Sequence, residues 1–362
     1  MSKQNTLSIL IKPASSSCNL HCKYCFYVDV SEQRAIVNHG IMKKDTVDQL
    51  IHKAVEALSG NGEINFSFQG GEPTVAGLDY FIHFVEEVKK YPNVIPHYSL
   101  QTNATLIDEH WAKFFHDHQF LLGVSLDGFE SNMNLFRYDQ NGKSIFYKVL
   151  KGIDYLREYK VDFNILTVVT RQLAKHPKAL YQFYRNHHFD YIQLIPCLPF
   201  MDSEKDEDSL TPELYASFFK EMYSLFKKDV LNNKPISINL FDNIAGMLQG
   251  YPPYQCGMLG ICNIHYVVEG NGDVYPCDFY CLDKYCMGNI HSCSFKTFNE
   301  TAQAKQFLSE MNCKNSLCEK CRFVNLCNGG CRRQNICYLK EDYCGYQDLL
   351  QTIIPRMQKL LR

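Results

Sequence analysis

Cys18-Asn19-Leu20-His21-Cys22-Lys23-Tyr24-Cys25 follows closely on an apolar run, Leu7 to Ile11. The run reads as a β-strand, which puts the three cysteines on the loop that leaves it. Three thiolates at C-x3-C-x2-C spacing can hold three irons of a cubane cluster and leave the fourth iron without a protein ligand. Protein-bound iron–sulfur clusters are ordinarily held by four cysteines. The missing ligand leaves a coordination position for a small molecule, as catalytic zinc sites also do. Taken alone, the same spacing suits a zinc knuckle or a set of buried thiols.

Working outward, the 362 residues suffice for two domains or for one large barrel with an extension. A hydrophobic share of 46 % allows a sizeable core. The net charge of −2 gives no broad attraction to nucleic acid or to a membrane surface. Met1 to Thr6 is polar, and the apolar run after it is too short for a signal peptide or a membrane span, so a cytoplasmic location is expected. Seventeen cysteines in such a chain point to metal or redox chemistry rather than disulfides. Three lie near the N-terminus, one is Cys197, and thirteen fall between Cys256 and Cys344.

The first part of the chain alternates. Strand patterns at Leu7–Ile11, Glu63–Phe68, His97–Gln101, Leu121–Ser125, Phe163–Val169 and Tyr191–Ile195 are each followed by helical spacing. The helices are expected at Lys44–Leu58, Leu78–Val88, Asp108–His116, Ser144–Tyr159, Lys178–Asn186 and Pro212–Asp229. Successive strand–helix units favour a parallel sheet, barrel-like or doubly wound. In such folds chemistry gathers at the C-terminal ends of the strands. The second strand ends in Gln69-Gly70-Gly71-Glu72-Pro73. Gly70 and Gly71 would let the backbone approach a ligand closely, and Glu72 could accept from a ligand ammonium. A tight turn is the plain alternative. Ser125 and Arg137, at and after the fourth strand, suit a carboxylate; otherwise they are a turn serine and a surface arginine.

Past residue 235 the texture changes, which divides the chain into 1–235 and 236–362. Glycine, proline and cysteine become frequent. Val267-Val268 and Val274-Tyr275 flank Asn271-Gly272, a hairpin signal that would deliver Cys277 and Asp278 at its far end. Cys318-x2-Cys321-x5-Cys327-x3-Cys331 and Cys344 follow. With Cys256, Cys262 and Cys277 they make eight cysteines, enough for two four-iron clusters or two zinc sites.

These motifs together resemble a known superfamily. Cys18-x3-Cys22-x2-Cys25 is similar to the cluster motif of radical S-adenosylmethionine enzymes, and Gly70-Gly71-Glu72-Pro73 to their methionine-binding loop. Cys262, nine residues, Gly272, four residues and Cys277, with the later cysteine block, resemble the SPASM extension. Leu10 to Ser16, Phe66 to Pro73, Ser99 to Asn103 and Tyr275 to Tyr280 narrow the likeness to the anaerobic sulfatase-maturating enzymes. That resemblance implies an α/β fold: a partial (β/α)6 TIM-like barrel with a C-terminal cysteine-rich SPASM domain and a final helix. It implies three [4Fe-4S] clusters and S-adenosyl-L-methionine. Cys18, Cys22 and Cys25 would hold the first cluster; Cys256, Cys262, Cys277 and Cys331 the second; Cys318, Cys321, Cys327 and Cys344 the third. Cys197, Cys281, Cys286, Cys293, Cys313 and Cys337 are left over, and Cys337 competes with Cys344 for the last ligand position.

The resemblance also implies an activity. A 5′-deoxyadenosyl radical would remove a Cβ hydrogen from a cysteine or serine of a sulfatase polypeptide, giving Cα-formylglycine. Gly70, Gly71, Glu72, Ser125 and Arg137 would bind the cofactor, Asp278 would act as base, and Tyr24 would contact the peptide. The substrate would be an unfolded Cys/Ser-x-Pro-x-Arg segment, the electron donor a ferredoxin or flavodoxin, and the enzyme a monomer. Two rivals are a SPASM enzyme that crosslinks a ribosomal peptide and a zinc-binding adaptor. Only Met1 to Thr6 precede the first strand, which counts against the added recognition domain common in the first rival.

Overall fold

The computed structural model describes residues 5–203, 206–311 and 315–361. Cys313, one of the surplus cysteines, lies outside the described residues. The chain forms two compact units, each discontinuous in sequence.

The first unit comprises Met1–Ser125, Arg137–Phe163 and Asn263–Ser309. Its parallel strands Thr6–Ile11, Gly62–Phe68, Val94–Thr102 and Leu121–Ser125 lie side by side in that order. On the other side of Thr6–Ile11 runs Val267–Val268, parallel, followed by Asp273–Tyr275 and Gly288–Asn289, both antiparallel. This is the hairpin expected around Asn271-Gly272. Every second residue of Gly62–Phe68 is buried (Ile64, Phe66, Phe68), as the period of a strand requires. Helix Leu78–Val88 covers that side with Phe81 and Phe84, whose rings stand edge-on to Phe68 at centroid distances of 5.1 and 5.0 Å. Each such ring contributes about 1.5–3 kcal/mol on burial. Helix Glu109–Asp117 starts at Asp108, whose carboxylate accepts from the Trp111 N–H at 3.1 Å.

The second unit comprises Leu126–Phe136, Asn164–Cys262 and Glu310–Arg362. Strand Phe163–Val169 pairs in parallel with Tyr191–Pro196, which pairs with Ser237–Ile238. Helix Pro212–Leu231 begins with proline at its first position and is capped by Thr211. It packs on the C-terminal helix Gly345–Leu360. Gly345 permits the contact, since a Cβ there would overlap the carbonyl oxygen of Pro212. Tyr215, Tyr338 and Tyr346 fill the space beside it.

All six expected strands form, with ends shifted by a few residues. A small antiparallel pair, Leu20–Cys22 with Arg137–Asp139, was not expected. Three residues are too few for any periodicity, so tertiary pairing alone makes it. It joins Arg137 to Cys22 in register, and Arg137 is only 7 % exposed rather than a surface residue. Among the described residues no helix is long and apolar enough to cross a membrane.

Candidate functional site

The loop leaving the first strand is compact. Ser15 takes a left-handed conformation (φ 50°), and the Ser17 N–H donates to the Ala14 carbonyl at 2.9 Å. The Gly70–Glu72 loop lies against this segment. The Gly71 N–H donates to Ser15 O and the Glu72 N–H to Ser17 O, each at 2.8 Å. The backbone at Gly71 also approaches the chain itself: a Cβ there would sit 2.6 Å from the Ser17 carbonyl carbon. Cys18, Cys22 and Cys25 follow directly, all partly buried. Burial pushes the Cys18 thiol up to about 12 against an opposing Leu20 N–H, and the nearby Glu72, Cys22 and Cys25 add to the rise.

Glu72 is 1 % exposed and accepts four hydrogen bonds. Its Oε1 accepts from the Thr74 N–H (3.1 Å), the Thr74 hydroxyl (2.6 Å) and the Thr102 hydroxyl (2.8 Å); its Oε2 accepts from the Asn103 N–H at 2.7 Å. Burial raises its pKa, and these four bonds counter the shift. The Gln101-Thr102-Asn103 strand end is thereby tied to the glycine loop. Ser125 ends its strand at 7 % exposure. The Arg137 Nε donates to the Tyr24 hydroxyl at 2.5 Å, and Tyr24 is 9 % exposed.

Asp278 opens a short turn, Asp278–Tyr280, just past the hairpin. The Lys12 ammonium donates to Asp278 Oδ1, and the Gln69 amide donates to Oδ2 at 2.7 Å. Behind Lys12 lies a closed polar cluster. The Lys12 Nζ is 3.7 Å from the centre of the Tyr27 ring. The Tyr27 hydroxyl and the Arg34 Nη1 (2.6 Å) both donate to Glu269 Oε1. Burial pulls the Lys12 pKa down, but the charges of Asp278 and Glu269 oppose it and the net shift is upward. Burial alone would raise the Glu269 carboxyl; Lys12 and Arg34 hold it below its ordinary value.

The later cysteines of the second unit form two sets. Cys318, Cys321, Cys327 and Cys344 line one cavity with Phe323, Tyr338 and Tyr346. Cys256, Cys262 and Cys331 line another. Cys277 belongs to the first unit.

Residues 13–184 match the Radical SAM superfamily, and residues 260–322 match SPASM, an iron–sulfur cluster-binding domain. The cysteine-type anaerobic sulfatase-maturating enzyme of Clostridium novyi (strain NT) is 41 % identical over 91 % of this chain and 88 % of that protein. The chain belongs to the anaerobic sulfatase-maturating enzymes.

The serine-type enzyme of Bacteroides thetaiotaomicron is 26 % identical over 97 % of this chain and 90 % of that protein. Among solved structures, native anSMEcpe with bound AdoMet superposes with a TM-score of 0.90 at 39 % identity, covering 98 % of this chain and 99 % of that one. Streptococcus suis SuiB, at 18 % identity and a TM-score of 0.63, covering 94 % of this chain and 76 % of that one, shares the fold alone. As an anaerobic sulfatase-maturating enzyme, the chain is a radical S-adenosylmethionine enzyme of the formylglycine-generating class, with S-adenosylmethionine and iron–sulfur clusters as cofactors. Its fold is the corresponding α/β barrel-type domain with a SPASM extension.

The residues fit these groups. Four thiols around one cavity, with apolar and aromatic walls, are a donor set for a buried cluster. Cys337, by contrast, is 0 % exposed and donates its S–H to the Cys197 carbonyl at 3.2 Å, and it does not line that cavity. Cys281 is likewise fully buried, donating to the Cys277 carbonyl at 3.5 Å. Sequence reading assigned no role to Lys12, Gln69, Tyr27, Arg34 or Glu269. One signal was present: Lys12 is a charged residue directly after the apolar strand Leu7–Ile11, where a lysine must be paired if it is buried.

Proposed function

We propose that this enzyme oxidises a cysteine in a Cys-x-Pro-x-Arg segment of a sulfatase polypeptide to Cα-formylglycine, before that segment is buried in a fold. The observation that carries the reading is one connected set of bonds. The Gly70–Glu72 loop backs the segment leading into Cys18, and Gln69, the residue before it, holds Asp278. The relatives named as cysteine-type are 40–41 % identical and those named as serine-type 26–29 %, which favours cysteine as the residue modified. A relative's structure, native anSMEcpe with bound AdoMet and Cp18Cys peptide, supports a peptide substrate; it has a TM-score of 0.89 at 38 % identity over 98 % of each chain.

In this reading Cys18, Cys22 and Cys25 hold the cluster that binds the cofactor. Cys256, Cys262, Cys277 and Cys331 hold one auxiliary [4Fe-4S] cluster, and Cys318, Cys321, Cys327 and Cys344 hold the other. When bound, the first cluster and S-adenosylmethionine supply hydrogen abstraction at the substrate Cβ. The protein's part is orientation and proton transfer. Gly70 and Gly71 brace the cysteine loop. Glu72 Oε2, with one bond from Asn103, keeps an acceptor position for the methionine ammonium. Ser125 and Arg137 face the methionine carboxylate, with Arg137 steadied by Tyr24. Tyr24, buried beside Arg137, meets the peptide through its ring at most. The Asp278 side chain, 15 % exposed, takes the proton from the substrate Sγ. Residues 1–235 then carry the radical chemistry and 236–362 the auxiliary clusters, in a cytoplasmic monomer reduced by a ferredoxin or flavodoxin.

The test is anaerobic turnover of a Cys-x-Pro-x-Arg peptide deuterated at the cysteine Cβ. Aldehyde in the peptide with deuterium in 5′-deoxyadenosine is expected. No 5′-deoxyadenosine from protein with its full iron complement would refute the reading.

A further inference from the structure

Lys12 stands at the end of the first strand with its side chain 0 % exposed. A buried ammonium persists only when it is paired and hydrogen-bonded. Its polar partner is Asp278 Oδ1, and the face of Tyr27 lies 3.7 Å from its nitrogen. Tyr27 cannot move freely, because its hydroxyl is bound to Glu269, which Arg34 and the Gly270 N–H (3.1 Å) also hold. Lys12 and Arg34 on one side, Asp278 and Glu269 on the other, make an electrically balanced set in which three members are nearly or fully buried. Removing one member of such a set is far more costly than the set's net worth.

The consequence lies in the torsion of the Asp278 carboxylate. The last side-chain torsion of an aspartate is broad and roughly two-fold, so packing alone does not fix it. Here Lys12 holds one oxygen and Gln69 the other. Two donors on opposite oxygens fix the plane of the group, and each oxygen keeps an acceptor position.

We infer that Lys12 is a positioning residue for Asp278, and that Tyr27, Glu269 and Arg34 form the rigid seat that holds Lys12. The inference rests on reading Asp278 as the base. Lys12, with its side chain 0 % exposed, acts through Asp278. Its work is to keep the carboxylate turned toward the substrate thiol, a hold strengthened by charge on both partners.

The test compares Lys12→Met, Asp278→Asn and the double variant in anaerobically reconstituted enzyme. The readouts are aldehyde formed per 5′-deoxyadenosine, peptide KM, iron content with visible absorption, and the crystal structure of Lys12→Met. Asp278→Asn is expected to lose about 100-fold in aldehyde yield per 5′-deoxyadenosine. Lys12→Met is expected to lose about tenfold, the worth of a charge-assisted bond, with iron content and KM unchanged. Its crystal structure should show the Asp278 carboxylate rotated off Gln69. The double variant should be no worse than Asp278→Asn alone, because a positioning residue has nothing left to position. Unchanged yield in Lys12→Met, or a further loss in the double variant, overturns the role of Lys12 and leaves the base reading standing. Full yield in Asp278→Asn overturns the base reading, and this inference with it. Should Lys12→Met not fold, Lys12→Gln replaces it: an uncharged amide of similar reach should still lose several-fold, and wild-type yield would overturn the inference.

Discussion

Replacing Gly71 by alanine sets a methyl group against the backbone that leads into Cys18. The methyl would overlap the Ser17 carbonyl oxygen and lie 2.6 Å from its carbon and 2.8 Å from the Ser16 carbonyl carbon. These are backbone atoms, so no flexible side chain can yield. Gly71 is not among the glycines with positive φ, so backbone strain adds nothing and the cost is one of space. The two segments must part. Parting breaks the bonds from Gly71 N to Ser15 O and from Glu72 N to Ser17 O. Two buried bonds at about 1 kcal/mol each, with about 1–3 kcal/mol for overpacking, give roughly 3–5 kcal/mol. For a unit of this size that corresponds to a thermal midpoint lower by roughly 10 °C. The assay is anaerobic thermal unfolding together with iron content and visible absorption of the reconstituted enzyme. Loss of the first cluster should accompany the fall, because the displaced segment ends at Cys18. Gly77→Ala is the control: Gly77 has φ +86° and ψ 154° with no atom within 4 Å of its Cβ position, so it should cost about 1–3 kcal/mol of backbone strain and leave iron content intact. Gly71→Ala protein with full iron and a midpoint within about 2 °C of wild type would refute the reasoning.

Three further outcomes follow from the geometry. Cys344→Ser should lose the iron of one cluster, while Cys337→Ser, altering a thiol that donates to the Cys197 carbonyl and lies outside the cavity of Cys318, Cys321, Cys327 and Cys344, should retain it; equal iron in both variants would contradict the ligand assignment. Glu269→Gln leaves Arg34 buried without its counter-charge, at a cost of about 3–5 kcal/mol in denaturant unfolding. Because the folded-state pKa of Glu269 lies below its ordinary 4.5, its contribution is present above about pH 4.5 and is lost as pH falls through the depressed value, so Glu269→Gln should also flatten the acid limb of stability against pH. Tyr24→Phe removes the bond to Arg137, and should weaken S-adenosylmethionine binding by about tenfold in equilibrium dialysis while the peptide KM stays unchanged.

The cysteine spacings, the alternating strands and helices and the Asn271-Gly272 hairpin were legible in the linear chain, because each is a local pattern with its own physical signature. So was the pairing of a three-thiolate loop with a Gly-Gly-Glu turn after the next strand. The family resemblance added roles that no spacing could give. What stayed hidden was mostly a matter of partners. Glu72 reads as an acceptor for a ligand ammonium, but no local pattern shows the four bonds that tie it to Thr74, Thr102 and Asn103. Arg137 was marked as suited to a carboxylate, but only its strand pairing with Cys22 brings it to the cysteine loop.

By itself, then, the sequence determined which residues can ligate, which turns can form and how the strands follow one another. Those properties depend on side-chain type and on separations of a few residues. Only the tertiary structure decided that Lys12 meets Asp278 across 266 positions and that Arg34 meets Glu269 across 235. It also decided that Cys344, not Cys337, faces the cavity of Cys318, Cys321 and Cys327. A charge is buried only where a counter-charge arrives from elsewhere in the chain, and that arrival is set by packing rather than by neighbours in sequence.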